Sequence, residues 1–329
     1  MLASTFVVIT VVLIFVLYRV CYHPLSHVPG PLLARVSSLP LHIVCYLGIE
    51  ASLLRHYHGV YKTKVLRVAP NSVSVSNFES IRDIYIAGGG FPKDSRYKNL
   101  GMGPIASIFS VRDTEYRDLR AKAVAPLFGP AQVRSGGPKG VIGSCVSEFV
   151  DQLSEFRKAH VKTDLLDLCA RLSIDVITGY LLGQRYGGLS ENRHLALEER
   201  QSGDAKLSAN PWAHAVVSWA WFSLLPNCIF RLVYPIYQRL NASEQVTESF
   251  AKIDRFAQQI MSSAAGAKVP KPYYYHERLL QTGVSPLETT AHSQAIIFAG
   301  ADSTAVMLVT TLFHLVQNRP ARIRLFCEI

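Results

Sequence analysis

A short polar stretch in the middle of a strongly apolar segment holds the residues best suited to chemistry. The apolar run 296–298 leads directly into residues 299–304, Ala-Gly-Ala-Asp-Ser-Thr. The carboxylate of Asp302, next to the hydroxyls of Ser303 and Thr304, could pass protons to a bound molecule. The alternative is a helix-packing glycine with satisfied hydroxyls, and these six residues alone do not choose between the two.

Two features of this stretch conflict with an ordinary apolar helix. Gly300 costs a helix about 1 kcal/mol relative to alanine, and a buried Asp302 is unfavourable unless it is paired. Conflicts of this kind tend to mark functional sites. The small residues Ala299 and Gly300 would also let a flat ligand lie close to the backbone.

The helix that carries these residues is predicted to run from Leu287 to about Val316. Pro320 then opens a further short helix, which reaches Glu328 and Ile329 without a glycine or another C-cap. Because a helix usually ends with such a cap, we expect that the sequence is cut short.

The remaining elements predict a mainly helical domain with one small β-hairpin. Residues 65–68 and 72–76 alternate around Ala-Pro-Asn and predict two short strands. Asp164 to Leu182 predicts a largely buried helix that Gly183 ends. Gly/Pro-rich residues 129–143 and polar residues 198–210 are predicted as loops within the domain.

Residues 212–237 are unusually aromatic and apolar, and Pro226 and Pro235 are predicted to interrupt them. We expect this stretch to dip into a membrane surface. A second crossing of the membrane, which would make a two-pass protein, is the alternative.

The N-terminal segment is predicted to be a retained membrane anchor. Residues 2–18 carry no charge and are long enough to cross most of a bilayer as a helix, which Arg19 ends. No basic segment precedes them and no cleavage site follows, which argues against a signal peptide. Positive charge after the helix predicts that the body faces the cytosol. A buried core helix is the alternative.

Composition and cysteine spacing exclude several classes of protein. The chain is 49% hydrophobic and 18% charged, which excludes extended disorder. Its net charge of +10 does not by itself choose among an anionic membrane, an acidic partner and nucleic acid. The 6 cysteines are scattered and give neither a zinc site nor a disulfide framework.

Five landmarks, in this order along the chain, resemble those of the cytochrome P450 family, in its fungal, membrane-anchored form. They are Pro29-Gly30-Pro31 behind the anchor, the hairpin 65–76, the loop Gly90-Phe91-Pro92-Lys93 with Tyr97, the helix 113–128, and residues 299–304. The resemblance implies a P450-like fold behind one transmembrane helix. It divides the chain into an anchor, 1–22, and a partial P450-like domain, 23–329.

The resemblance also implies a cofactor, partners and roles for particular residues. Tyr116 and Arg120 would hold a carboxylate of haem, with Ala299 and Gly300 beside the ring. Asp302, Ser303 and Thr304 would deliver protons to bound oxygen. The implied activity is oxidation of a small apolar metabolite in fungal secondary metabolism, with electrons from NADPH through a separate reductase. The implied location is the endoplasmic reticulum membrane, with no role in nucleic-acid binding.

Two parts of the family pattern are absent from this sequence. The family ligates iron through a cysteine in a Phe-x-x-Gly loop, and none of the six cysteines stands in that context. The family's Glu-x-x-Arg pair is absent too. We therefore assign no metal ligand, and we expect the C-terminal part of the fold to be missing and the chain as written to be inactive or incomplete. The alternative is a non-catalytic, membrane-anchored helical protein that binds a ligand or partner.

Overall fold

A computed structural model describes residues 2–101, 105–218, 222, 225–265 and 273–328. The described part is mostly helical and contains one two-stranded sheet. The chain forms two compact units, residues 1–96 with 220–234 and residues 97–219 with 235–329. The predicted fold class, mainly helical with a small β-hairpin, is confirmed.

The first unit combines short helices with the predicted hairpin. Its elements are α1 (Leu2–Leu17), a π-helical turn (Tyr18–Tyr22), α2 (Leu32–Val36), α3 (Leu39–Tyr46), α4 (Glu50–Val60), β1 (Val65–Ala69), β2 (Ser72–Val75) and α5 (Ser80–Tyr85). The two strands are antiparallel, with Val65 opposite Val75 and a register shift between Arg67 and Ala69. The Pro-Asn turn therefore forms where the sequence predicted it.

Arg67 of β1 is fully buried and ties the connector after α1 to the hairpin. Its guanidinium donates to the carbonyl oxygens of Arg19 at 3.1 Å, Leu25 at 3.3 Å and Pro70 at 2.9 Å. Its backbone N–H donates to the carbonyl of Pro29 at 2.8 Å. These carbonyl acceptors replace the water that a buried cation loses.

From Thr5 onward the apolar helix α1 has no buried residue. Residues Thr5–Tyr22 have a mean hydropathy of 2.3 and are long enough to cross a membrane. Residues Pro286–Gln317 are also long and apolar enough to cross a membrane, with a mean hydropathy of 1.7. This second segment, unlike α1, has a stripe of buried residues packed on other helices.

The second unit contains the remaining helices. They are α6 (Thr114–Val124), α7 (Pro130–Val133), α8 (Gly136–Ala159), α9 (Leu165–Leu182), α10 (Asn210–Val217), α11 (Asn227–Leu240, in this unit from Pro235), α12 (Glu244–Ala265), α13 (Tyr275–Gln281), α14 (Pro286–Gln317) and α15 (Arg319–Glu328). Its core centres on α9 and α14, which pack along each other and against α8, α12 and α13.

The predicted bounds of α9 and α14 are close to those observed because both helices carry local signals. The carboxylate of Asp164 caps α9 by accepting the N–H groups of Leu166 at 3.0 Å and Asp167 at 3.2 Å. Gly183 ends α9 in the left-handed conformation, with φ of 75°. Ser285 caps α14 by accepting the N–H of Glu288 at 3.2 Å.

Asp175 of α9 organises the loop that follows this helix. Its carboxylate is completely buried and accepts three backbone N–H groups, from Gly187 at 2.7 Å, Gly188 at 2.8 Å and Leu189 at 3.1 Å. Arg185 donates to the same carboxylate at 3.0 Å. The loop therefore folds around a buried anion whose acceptor positions are all used.

Two of the predicted breaks are wrong. Residues 136–143 begin α8, and Pro138 is tolerated there because the first turn of a helix does not need its N–H. Pro235 lies inside α11. A proline removes one hydrogen-bond donor and can bend a helix, but the helix can continue beyond it. Parts of the aromatic stretch, residues 219–221 and 223–224, lie outside the described residues.

Candidate functional site

Gly300 lies where α14 packs on α9. A side chain at this position would begin 2.6 Å from Cγ1 and 2.9 Å from Cδ1 of Ile177. The space that Gly300 leaves is therefore filled by a neighbouring helix, as in the packing alternative. The buried stripe of α14 runs along the same contact and comprises Thr289, His292, Ser293, Ile297, Ala301 and Ala305.

Ala299, Ser303 and Thr304 lie on the exposed side of α14. The Ser303 hydroxyl donates to the carbonyl of Ala299 at 2.6 Å, one turn earlier. The Thr304 hydroxyl has no hydrogen-bond partner among the described residues. The Thr304 hydroxyl can therefore donate a hydrogen bond to another molecule. The Ser303 hydroxyl can only accept one, because its own hydrogen is already used.

Asp302 lies at the border of the exposed side and borders a cavity of about 1130 Å³ within the second unit. The cavity is lined by residues of α9, α10, α11, α12 and the loop after α9, and its charged groups include Glu248 and Arg255. The Asp302 carboxylate has no ion pair or hydrogen bond among the described residues. It is thus a half-buried carboxylate with access to water.

Arg120 of α6 forms a compact cluster with the start of α14. Its Nε and Nη2 donate to the two oxygens of Glu288, the second at 3.1 Å. Nη1 donates to the carbonyl of Tyr116 at 3.1 Å, and the guanidinium carbon lies 3.4 Å from the centre of the Tyr116 ring. The Tyr116 hydroxyl lies within hydrogen-bond distance of Glu288 and of the Ala106 carbonyl.

His292, one turn after Glu288, completes this cluster. The backbone N–H of Ile108 donates to its Nδ1 at 3.4 Å, so the proton is on Nε2, which lies 3.3 Å from Oε1 of Glu288. The structure thus brings Tyr116 and Arg120 together, as predicted. Their carboxylate partner is a residue of the chain itself.

Burial and hydrogen bonding shift the pKa values of the cluster in opposite directions. Burial acts to raise the pKa of Glu288, but the hydrogen bonds from Arg120 and Tyr116 outweigh it and lower this pKa to about 2. Burial, followed by the hydrogen bond to Glu288, raises the pKa of Tyr116 to about 12. Burial lowers the pKa of His292. At neutral pH the cluster therefore holds one anion, one cation and two neutral rings.

These shifts predict a loss of stability at both ends of the pH scale. The folded-state pKa of Glu288 lies below its ordinary value of 4.5, so its contribution is full above pH 4.5 and is lost as pH falls towards 2. The folded-state pKa of Tyr116 lies above its ordinary value of 10, so its contribution is lost as pH rises from 10 to 12. Urea unfolding midpoints measured across this range test both limbs.

Glu288→Gln should flatten the acid limb, because the variant has no carboxylate to protonate. Glu115→Gln is the matched control, since Glu115 is an exposed residue of α6 with no hydrogen bond or ion pair among the described residues. An acid limb that is equally steep in Glu288→Gln and in the unaltered chain would contradict the assignment.

Glu288 and His292 were not predicted as site residues. Their spacing of one helical turn, just before the apolar stretch of α14, was the available signal. Such a pair is common on exposed helix faces, and its partner Arg120 lies 168 residues away in the sequence. Sequence reasoning therefore had no means of connecting Glu288 to α6.

A comparison with protein families identifies the family of this chain. The family model described as Cytochrome P450 matches residues 52–329. The chain belongs to the cytochrome P450 family. The matched region includes the hairpin, α6 with Arg120 and the central residues of α14. The recognition made from the sequence is therefore confirmed.

Curated relatives from fungi are themselves described as cytochrome P450 proteins or hydroxylases. Cytochrome P450 monooxygenase mfmF of Annulohypoxylon moriforme is 62% identical over 98% of this chain and 66% of its own length. Cytochrome P450 monooxygenase orf2 of Aspergillus niger is 22% identical over 95% of this chain and 62% of its own. Trichothecene C-4 hydroxylase of Trichoderma arundinaceum is 22% identical over 92% and 58%. The chain thus spans about three-fifths to two-thirds of these P450 relatives.

Membership of the P450 family implies haem, and the described residues fit one wall of a site for it. Ala299 and Ser303 give the exposed side of α14 a stripe without bulky side chains. Arg120 gives three of its five N–H groups to Glu288 and Tyr116, which leaves two for another acceptor. Gly300 faces Ile177 rather than this stripe.

Proposed function

We propose that this chain provides the α6 and α14 side of a cytochrome P450 monooxygenase site that oxidises a small apolar metabolite in fungal secondary metabolism. The observation that carries the proposal is the P450 family match across residues 52–329. The fungal relatives described as P450 monooxygenases support the same class of reaction. Haem, when bound, would supply the activation of dioxygen.

Each assigned side chain has a separate task in this proposal. The stripe of Ala299 and Ser303 would lie against the ring, with Gly300 allowing α14 to seat closely on α9. The spare N–H groups of Arg120, backed by the ring of Tyr116, would hold a haem carboxylate. Both assignments rest on side chains that α6 and α14 hold in place.

Asp302, Ser303 and Thr304 would manage protons beside the reacting molecule. Asp302 would take a proton from water in the adjoining cavity, since its carboxylate is half-buried and unpaired. The hydroxyl of Thr304 would donate onward, and that of Ser303 would accept, because its own hydrogen is given to Ala299.

We also propose the location and the redox partner. The apolar helix α1 would anchor the chain in the endoplasmic reticulum membrane, with the body in the cytosol because Arg19, Arg35 and Arg55 follow the helix. Electrons would come from NADPH through a membrane-bound P450 reductase.

The proposal can be tested in a chimera. In this chimera, the present chain replaces the matched part of the Annulohypoxylon moriforme relative, with which it shares 62% identity. We expect the reduced chimera to give the same carbon monoxide difference spectrum as the relative itself. A folded chimera, judged by circular dichroism, that binds no haem would contradict the proposal.

Asp302→Asn in the same chimera tests the proton pathway. We expect the rate of product formation from the relative's own substrate to fall about 100-fold, the lower range of general acid–base effects, with the carbon monoxide spectrum unchanged. Asp151→Asn is the control, since Asp151 is an exposed residue of α8. Equal activity of the two variants would remove Asp302 from the mechanism.

A further inference from the structure

Arg120 already has a carboxylate partner within the chain. Two of its nitrogen atoms face the two oxygens of Glu288, so the pair is bidentate. The side chains of Arg120 and Glu288 are only 12% and 14% exposed. A shielded, two-point contact of this type is among the stronger hydrogen-bonded pairs in proteins.

Further contacts fix Glu288 in this place. Its carboxylate faces the Tyr116 hydroxyl and Nε2 of His292, and its backbone N–H is capped by Ser285. His292 is itself held by the N–H of Ile108. Glu288 is thus positioned from α6, from α14 and from the segment before α6.

The pairing draws Arg120 towards the beginning of α14. Glu288 is in the first turn of α14, and Ala299 follows it by about three turns. An acceptor beside Ala299 would have to compete with Glu288 for the guanidinium or accept its remaining N–H groups.

We propose that Glu288 is the resident partner of Arg120 and acts as a positioning residue. It fixes α6 on the start of α14, and an external carboxylate takes the bidentate edge of Arg120 only by displacing it. This contact between α6 and α14 does not require a cofactor. Competition with a haem carboxylate rests on the proposed function.

A double-mutant cycle on the 329-residue chain, without haem and in detergent, tests the contact. We expect Arg120→Met and Glu288→Gln each to lower the melting temperature by roughly 5–10 °C, because each leaves one charge of a shielded ion pair without its opposite charge. The double variant should melt close to the single variants. Strictly additive shifts would overturn the proposal, and Glu115→Gln should melt like the unaltered chain.

Hemin titration of the chimera, followed by Soret absorbance, tests the competition. We expect Glu288→Gln to bind hemin about 10-fold more tightly than the unaltered chimera and Glu115→Gln, because the guanidinium no longer has an anionic partner. Unchanged or weaker binding would overturn the competition. If no variant binds hemin, the proposed function fails, and the double-mutant cycle still decides whether Glu288 is the partner of Arg120.

Discussion

Replacing Asp175 with asparagine should lower the free energy of unfolding by about 3–5 kcal/mol, the range observed when one partner of a buried charged contact is removed. The carboxylate accepts from three consecutive backbone N–H groups and from Arg185. Asparagine offers one acceptor oxygen and presents an NH₂ group to donors. At least one buried N–H would then lose its acceptor, and Arg185 would keep only its contact with Glu148.

Urea unfolding followed by circular dichroism measures this effect. Asp151→Asn is the matched control, because Asp151 is exposed on α8 and has no hydrogen bond or ion pair among the described residues. Its unfolding free energy should stay within about 0.5 kcal/mol of the unaltered chain. A similarly small change for Asp175→Asn would mean that the loop after α9 does not depend on the buried carboxylate.

Gly300→Ala should destabilise the chain by about 1–3 kcal/mol, although alanine is the better helix former. The added methyl group would lie 2.6 Å from Cγ1 of Ile177, so α9 and α14 would have to separate or Ile177 would have to leave its rotamer. Gly143 of α8 offers the opposite case, because nothing lies within 4 Å of the position of an added methyl group. Gly143→Ala should be neutral or stabilise by up to about 1 kcal/mol, since alanine is the better helix former and nothing blocks its methyl group.

Adding Ile177→Ala tests the cause. With Ile177 shortened, Gly300→Ala should lose most of its cost, so the effects of the two substitutions should not add. These unfolding free energies should be measured on the chain without haem, because the expected loss of stability comes from packing between α9 and α14. If Gly300→Ala is harmless there, Gly300 faces open space and could lie against a ligand.

The elements that sequence reasoning located carry their own local signals. The pattern around Pro70-Asn71 predicts the hairpin, and Asp164 and Gly183 mark the ends of α9. The long apolar period predicts α14 to within one residue at each end. Pro138 in the first turn of α8 and Pro235 within α11 stand in segments whose residue types are also typical of loops. Only the surrounding contacts decide that these residues are helical.

The candidate site was predictable in its residue types and not in its pairings. The acid and hydroxyls at 302–304 stay a prediction, whereas Tyr116 and Arg120 do lie in contact on one helix face. The partner of Arg120, the contact between Gly300 and Ile177, and the donors to Asp175 all depend on which segments fold together. Side-chain spacing within one helix carries no information on such distant contacts.

The carbonyl oxygens around Arg67 have a mechanical consequence for the first unit. The connector with Pro29-Gly30-Pro31, between the apolar helix and the hairpin, would ordinarily be expected to let these two elements reorient. Here the Arg67 guanidinium is bonded to carbonyls at the end of that helix, within the connector and at the hairpin turn. A tilt of the apolar helix relative to the hairpin would therefore have to break these hydrogen bonds.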